Sequence, residues 1–116
     1  MKLKNILLVV NDIERSKRFY SEIFSMKVIT DFGKNVILTE GLVLQQQDVW
    51  EEGTGKSVSF GGHNAELYFE ASDMEGFLEK VNDSSFEIEF LNKEEGLVRL
   101  YDPDRHIIEI KEKERF

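Results

Sequence analysis

Two imidazoles, His63 and His106, are the only histidine ligands in the 116 residues, and there is no cysteine. That excludes disulfides, thiolate metal sites, iron–sulfur clusters and cysteine nucleophiles. A three-histidine metal site within one chain is impossible, and a serine–histidine–acid triad would have to use one of those two rings. The glycines of 53–62 lack phosphate-loop spacing, and neither a Gly-x-Ser-x-Gly turn nor a paired-histidine zinc motif occurs. What remains is oxygen chemistry, carried by carboxylates, amides and hydroxyls.

The charge is unevenly spread. Residues 1–58 hold 8 basic and 8 acidic residues and residues 59–116 hold 7 and 15, so the net charge of −8 lies in the second half. A field of that sign repels nucleic-acid phosphates and anionic membrane surfaces, and no basic cluster is interleaved with aromatics. Ile6 to Val10 is the longest aliphatic run, five residues, against the roughly 18 of a spanning helix. Although Lys2 and Lys4 precede it, Asn11-Asp12 follows in place of a cleavage site, so the chain reads as mature and cytoplasmic.

The elements that would position the oxygen ligands can be read in order. Lys4 to Val10 is an apolar strand of the kind buried on both faces, and Asp12 caps a helix whose Ile13, Phe19, Tyr20, Ile23 and Phe24 form one stripe. Residues 27–31, 35–40 and 42–48 read as three strands. Residues 48–64 carry four glycines and read as a connection or flap, with a short extended piece at 57–60, that holds Trp50 and His63. Ala65 to Ala71 alternates as a strand, Asp73 starts a helix with Met74, Phe77, Leu78 and Val81 on one face, and Phe86, Ile88 and Phe90 alternate as the next strand. Asn92 to Gly96 turns the chain, Leu97 to Tyr101 is a strand, 102–105 turns again, and His106 to Lys111 closes the order. Asp12-Ile13-Glu14 and Asp73-Met74-Glu75 stand 61 positions apart within the same β-α-β-β-β order. The reading is one domain over 1–116, with one module over 1–48, a connection over 49–64 and a second module over 65–116.

The segment VNDIERSKRFYSEIFSMKVI after a first strand, and LYDPDRHIIEI at the end, resemble the glyoxalase/bleomycin-resistance/dioxygenase superfamily, the vicinal oxygen chelate proteins. The resemblance spans the whole chain and implies an α+β fold in which two βαβββ modules form an eight-stranded, cup-shaped mixed sheet with helices outside. It also implies a small-molecule site inside the cup and a homodimer. The family's metal enzymes place one ligand on the first and one on the last strand of each module. Carried over, those positions are Asn5, seven residues before the Asp12 cap, Glu66, seven before Asp73, Gln45 in LVLQQQ, and Glu109 in DPDRHIIE. Strand alternation groups Glu66 with Tyr68 and Glu70. It sets His63 and His106 off the faces of Glu66 and Glu109, as loop and turn residues.

Asn5 and Glu66 stand where the family's metal enzymes usually carry histidine, and Arg105 stands where Asp-Pro-Asp-Gly is usual. These departures count against ordinary glyoxalase I (lactoylglutathione lyase) activity. Two amides and two carboxylates suit a hard cation such as Mg²⁺ or Mn²⁺ better than zinc or nickel. Without metal, Glu66 and Glu109 each raise the other's pKa unless a cation lies between them, which favours a cationic ligand bound with Tyr68, Glu70 and Trp50. The readings in play are therefore metal-free binding of a small molecule as in resistance proteins, a divalent-metal lyase, isomerase or dioxygenase, and an interaction module with a filled cup. In the first of these no cofactor is expected. Asn5 and Gln45 as mere inter-strand hydrogen bonders, Glu66 and Glu109 as solvated residues, and Trp50 as a loop anchor are the plain structural alternatives.

Overall fold

Asp12 and Asp73 do begin the two longer helices. Asp12 Oδ1 accepts from the backbone N–H groups of Glu14 and Arg15 at 3.1 and 3.2 Å, and Asp73 Oδ1 accepts from that of Gly76 at 3.0 Å. These are the amide donors that a helix start leaves without internal partners. The computed structural model describes residues 1–114 and divides into two units, Met1–Ser59 and Phe60–Phe116. Residues 115 and 116, the end of the second module, lie outside the described residues.

The first unit contains β1 (Ile6–Val10), α1 (Ile13–Phe24), β2 (Val28–Asp31), β3 (Asn35–Leu38), β4 (Leu42–Gln46) and α2 (Gln47–Thr54). Its sheet has the order β1-β4-β3-β2, with β1 and β4 parallel and the other neighbours antiparallel. Val10, Val36, Leu38 and Leu44 alternate onto one face and are fully buried together with Phe19, Tyr20 and Ile23 of α1. Alternation places Leu7, Val9, Ile37, Val43, Asn35 and Gln45 on the other face, here called the open face.

The second unit repeats the plan with β5 (Glu66–Ala71), α3 (Met74–Asp83), β6 (Phe90–Glu94), β7 (Leu97–Tyr101) and β8 (Ile107–Glu112), in the order β5-β8-β7-β6. Val98, Leu100, Ile108 and Ile110 form its buried face. The repeat extends to a device absent from the sequence reading. The first helical N–H is held by a side chain from the module's last strand: Ile13 donates to Gln46 Oε1 at 3.2 Å, and Met74 donates to Glu112 Oε2 at 2.9 Å. The fold is thus α+β, two βαβββ modules each with a four-stranded mixed sheet.

Three expectations are corrected. The stretch read as a connection contains α2, capped by Gly55 in the left-handed conformation at φ 71°. Glycines near a helix end mark its cap as readily as a loop. After the helix, Glu51 Oε2 takes the N–H of Val58 at 2.8 Å, and the first unit runs on to Ser59. The strand expected at Phe86–Phe90 lies at Phe90–Glu94 instead, so Asn92 is in the ladder and the turn is confined to Glu95-Gly96. Phe86 and Ile88 are half-buried, and Glu89 accepts from the Tyr101 N–H at 3.0 Å as the chain approaches β6. Finally, β1 is an edge strand within its own unit, with Ile6 55% and Leu7 39% exposed. An apolar run reports side-chain chemistry and does not count partners.

Candidate functional site

In the first unit, Asn5 lies one residue before β1, where its Nδ2 donates to the backbone oxygen of Gly41 at 3.0 Å and ties the starts of β1 and β4 together. Gln45 is half-buried on the open face beside Val9 and Asn35. It is not the repeat mate of Glu109: Leu7 pairs with Val43 as Tyr68 pairs with Glu109, so Gln45 corresponds to Lys111. Trp50 is half-buried on α2.

In the second unit, Glu66, Tyr68, Glu70 and Glu109 share the open face of the β5–β8 pair. Glu66 and Glu70 are exposed, and Tyr68 is 76% exposed. Glu109 is different. Its Oε1 lies 2.6 Å from Arg99 Nη2, with side chains 14% and 31% exposed respectively. Cross-strand pairing makes one row of Tyr68, Glu109, Arg99 and Asn92 across β5, β8, β7 and β6. The cation missing between the two acids in the sequence reading is therefore supplied, for Glu109, by the chain itself. Asn92 adds a buried Oδ1 with no hydrogen-bond partner. The register is recoverable from the hairpin: the 102–106 turn pairs Tyr101 with Ile107, and two residues further along each strand come Arg99 and Glu109.

The turn holds the other unanticipated arrangement. The buried Asp102 carboxylate accepts from the N–H groups of Asp104 and His106 at 2.9 and 2.8 Å through Oδ1, and its Oδ2 lies 2.7 Å from His106 Nδ1. Arg105 adopts φ 67°, the conformation that favours glycine there, while its guanidinium reaches Glu89 at 2.8 Å and covers the Tyr101 ring. His63 stays in its loop, its ring centroid 6.1 Å from that of Tyr101. Burial pushes the His106 pKa down, but the Asp102 hydrogen bond and the charges of Asp102 and Asp104 more than offset it, and the net shift is upward. A raised folded-state value stabilises the fold below the unfolded-state value, about 6.5, and the stabilisation fades as pH rises through the folded value. Denaturant titrations are therefore expected to give a greater stability loss between mildly acidic and mildly alkaline pH in the wild-type protein than in His106→Gln. An NMR titration should place the His106 midpoint above the unfolded-state value.

The matches to known proteins agree with this architecture. The family model for the glyoxalase-like domain covers residues 3–114. The chain belongs to that family, within the vicinal oxygen chelate superfamily. A search of curated proteins finds no match. Among solved structures, this glyoxalase-like domain is similar to a protein of unknown function from Agrobacterium tumefaciens str. C58, at 29% identity and TM-score 0.83, over 98% of this chain and 95% of that one. It shares the fold of a glyoxalase-related enzyme from Fulvimarina pelagi, at 21% identity and TM-score 0.75, over 97% and 88% of the two chains. The same holds for the fosfomycin resistance protein FosX from Listeria monocytogenes, at 18% identity and TM-score 0.69, over 97% and 91%.

The superfamily's metal enzymes raise the question of whether these residues fit a divalent ion. They fit one poorly. Glu109 is ion-paired to Arg99, the Asn5 amide is engaged with Gly41, and amide oxygens are weak ligands without accompanying charge. Among the described residues no group of three or more His, Asp or Glu side chains is arranged to hold a metal, and no helix is long and apolar enough to cross a membrane.

Proposed function

We propose that this glyoxalase-like domain is a metal-free binding protein for a small organic molecule, of the resistance or sequestration kind, with the open face of the second module's sheet carrying the ligand-binding residues. The observation that carries the reading is the Arg99–Glu109 pair, an internal cation against the carboxylate that a metal would need. The rival divalent-metal lyase, isomerase or dioxygenase requires that pair to open. Exposed Glu66 and Glu70 on the same face favour a ligand with a cationic group. Exposed apolar side chains on edge strands, Ile6 and Leu7 on β1 and Val28 and Ile29 on β2, support pairing with a second copy. The lack of cysteine suits a cytoplasmic setting.

Calorimetric titration with benzylammonium and with benzyl alcohol, in the presence of EDTA, tests this reading. The cation is expected to bind more tightly by about tenfold, the worth of one charge-assisted contact, and Glu66→Gln should narrow the gap. Equal affinity for the two probes, or binding that needs added Mg²⁺ or Mn²⁺, would reject it.

A further inference from the structure

α2 is held differently from the other two helices. α1 buries five residues and α3 two, whereas α2 buries none, its Val49 and Trp50 being half-buried. Asp12 and Asp73 cap α1 and α3, but Gln46 makes no side-chain cap bond to α2, and Gly53 stands inside it. Helices shorter than roughly 12 residues are marginal in water, and α2 has eight, one of them a glycine. Polar bonds hold it. Asp48 Oδ2 takes the Lys34 ammonium of the β2–β3 turn at 2.6 Å, and its Oδ1 accepts from Gln46 Nε2 at 3.1 Å. Further on, the segment closes on itself: Glu51 Oε2 accepts from the Val58 N–H at 2.8 Å and from Gln47 Nε2 at 3.2 Å. Residues 52–57 are all exposed. Gln46 is fixed, its backbone N–H donating to the Lys34 oxygen at 2.8 Å and its Oε1 taking the first N–H of α1. The segment 47–58 is thus bonded internally and anchored at Gln46. Beyond that anchor, among the described residues, one ion pair fastens it, with side chains 54% and 57% exposed.

We propose that residues 47–58 form a strap that swings open as a unit about Gln46 when the Lys34–Asp48 pair parts, while the first sheet and α1 stay folded. Elements with few buried apolar contacts open at a lower free energy than global unfolding. α2 lies against β1 and β4, so the strap controls access to that part of the first unit and carries Trp50 with it. This goes beyond the binding reading above and stands or falls separately from it.

Native-state hydrogen exchange tests the strap. The amides of 51–55 and of Val58 are expected to exchange together and faster than those of β4. Low urea should leave their rates nearly unchanged, because a local opening exposes little surface. Lys34→Gln should speed them by about two- to fivefold, the worth of an exposed ion pair. Gly53→Ala, at a site with open space for the added carbon, should slow them by about two- to fivefold. Acrylamide quenching of Trp50, the one tryptophan, should rise in the first variant and fall in the second. Protection equal to that of β4 with the same urea dependence would mean that no separate opening exists, and would overturn the proposal. Exchange that Lys34→Gln leaves unchanged would overturn it too, reducing α2 to a helix that frays from its end.

Discussion

Arg99→Leu should unfold about 2 kcal/mol more easily than the wild-type protein, a loss between those of exposed and fully buried ion pairs. The intermediate value follows from the exposures, 14% for the Glu109 side chain and 31% for Arg99. Deleting the guanidinium leaves a mostly buried carboxylate without its ion-pair partner, and most of the loss is the desolvation of that orphaned charge. The double variant Arg99→Leu with Glu109→Leu should recover most of the stability, since no unpaired charge then remains. Urea denaturation of the two single variants and the double variant closes the cycle. Additive losses would mean that the two side chains are not coupled.

Asp102→Ala should be more damaging, at about 3 kcal/mol, because one substitution strips partners from two backbone N–H groups and an imidazole. All three converge on a carboxylate that is itself buried, so water cannot readily replace it. Asp102→Asn keeps an oxygen for the two backbone donors and should cost less than half as much. The asparagine variant should also lower the His106 pKa, since the carboxylate's hydrogen bond and charge are what raise it. Chemical denaturation gives the ranking, and the His106 titration gives the sign of the shift.

The legible parts of the fold were those with local causes. Each helix start was visible because an aspartate must stand where free amide donors need an acceptor, and the 61-residue spacing of Asp12 and Asp73 exposed the repeat. α2 was hidden because Gly53 lies within the helix and Gly55 caps it, a glycine pair that looks like a loop. β6 was misplaced because Phe86, Ile88 and Phe90 do alternate, and alternation cannot tell a paired strand from an extended approach to one. The common face of Glu66, Tyr68, Glu70 and Glu109 follows from a period of two. Arg99 was missed because the carried-over positions concern first and last strands, whereas the residue that neutralises Glu109 comes from β7 between them. Gln45 stands one row away from the repeat mate of Glu109 because the two modules differ in the chain length between first and last strands: Leu7 faces Val43, 36 positions on, while Tyr68 faces Glu109, 41 positions on.

The central claim is that Glu109 is served by Arg99 and not by a metal, and paramagnetic broadening by Mn²⁺ tests it most directly. Manganese titrated into the metal-stripped protein should leave the amides of Asn5, Gln45, Glu66 and Glu109 as sharp as those of the core, with only weak, salt-sensitive broadening at exposed acidic residues. Saturable, stoichiometric broadening centred on those four residues would contradict the account and establish the all-oxygen metal site in its place.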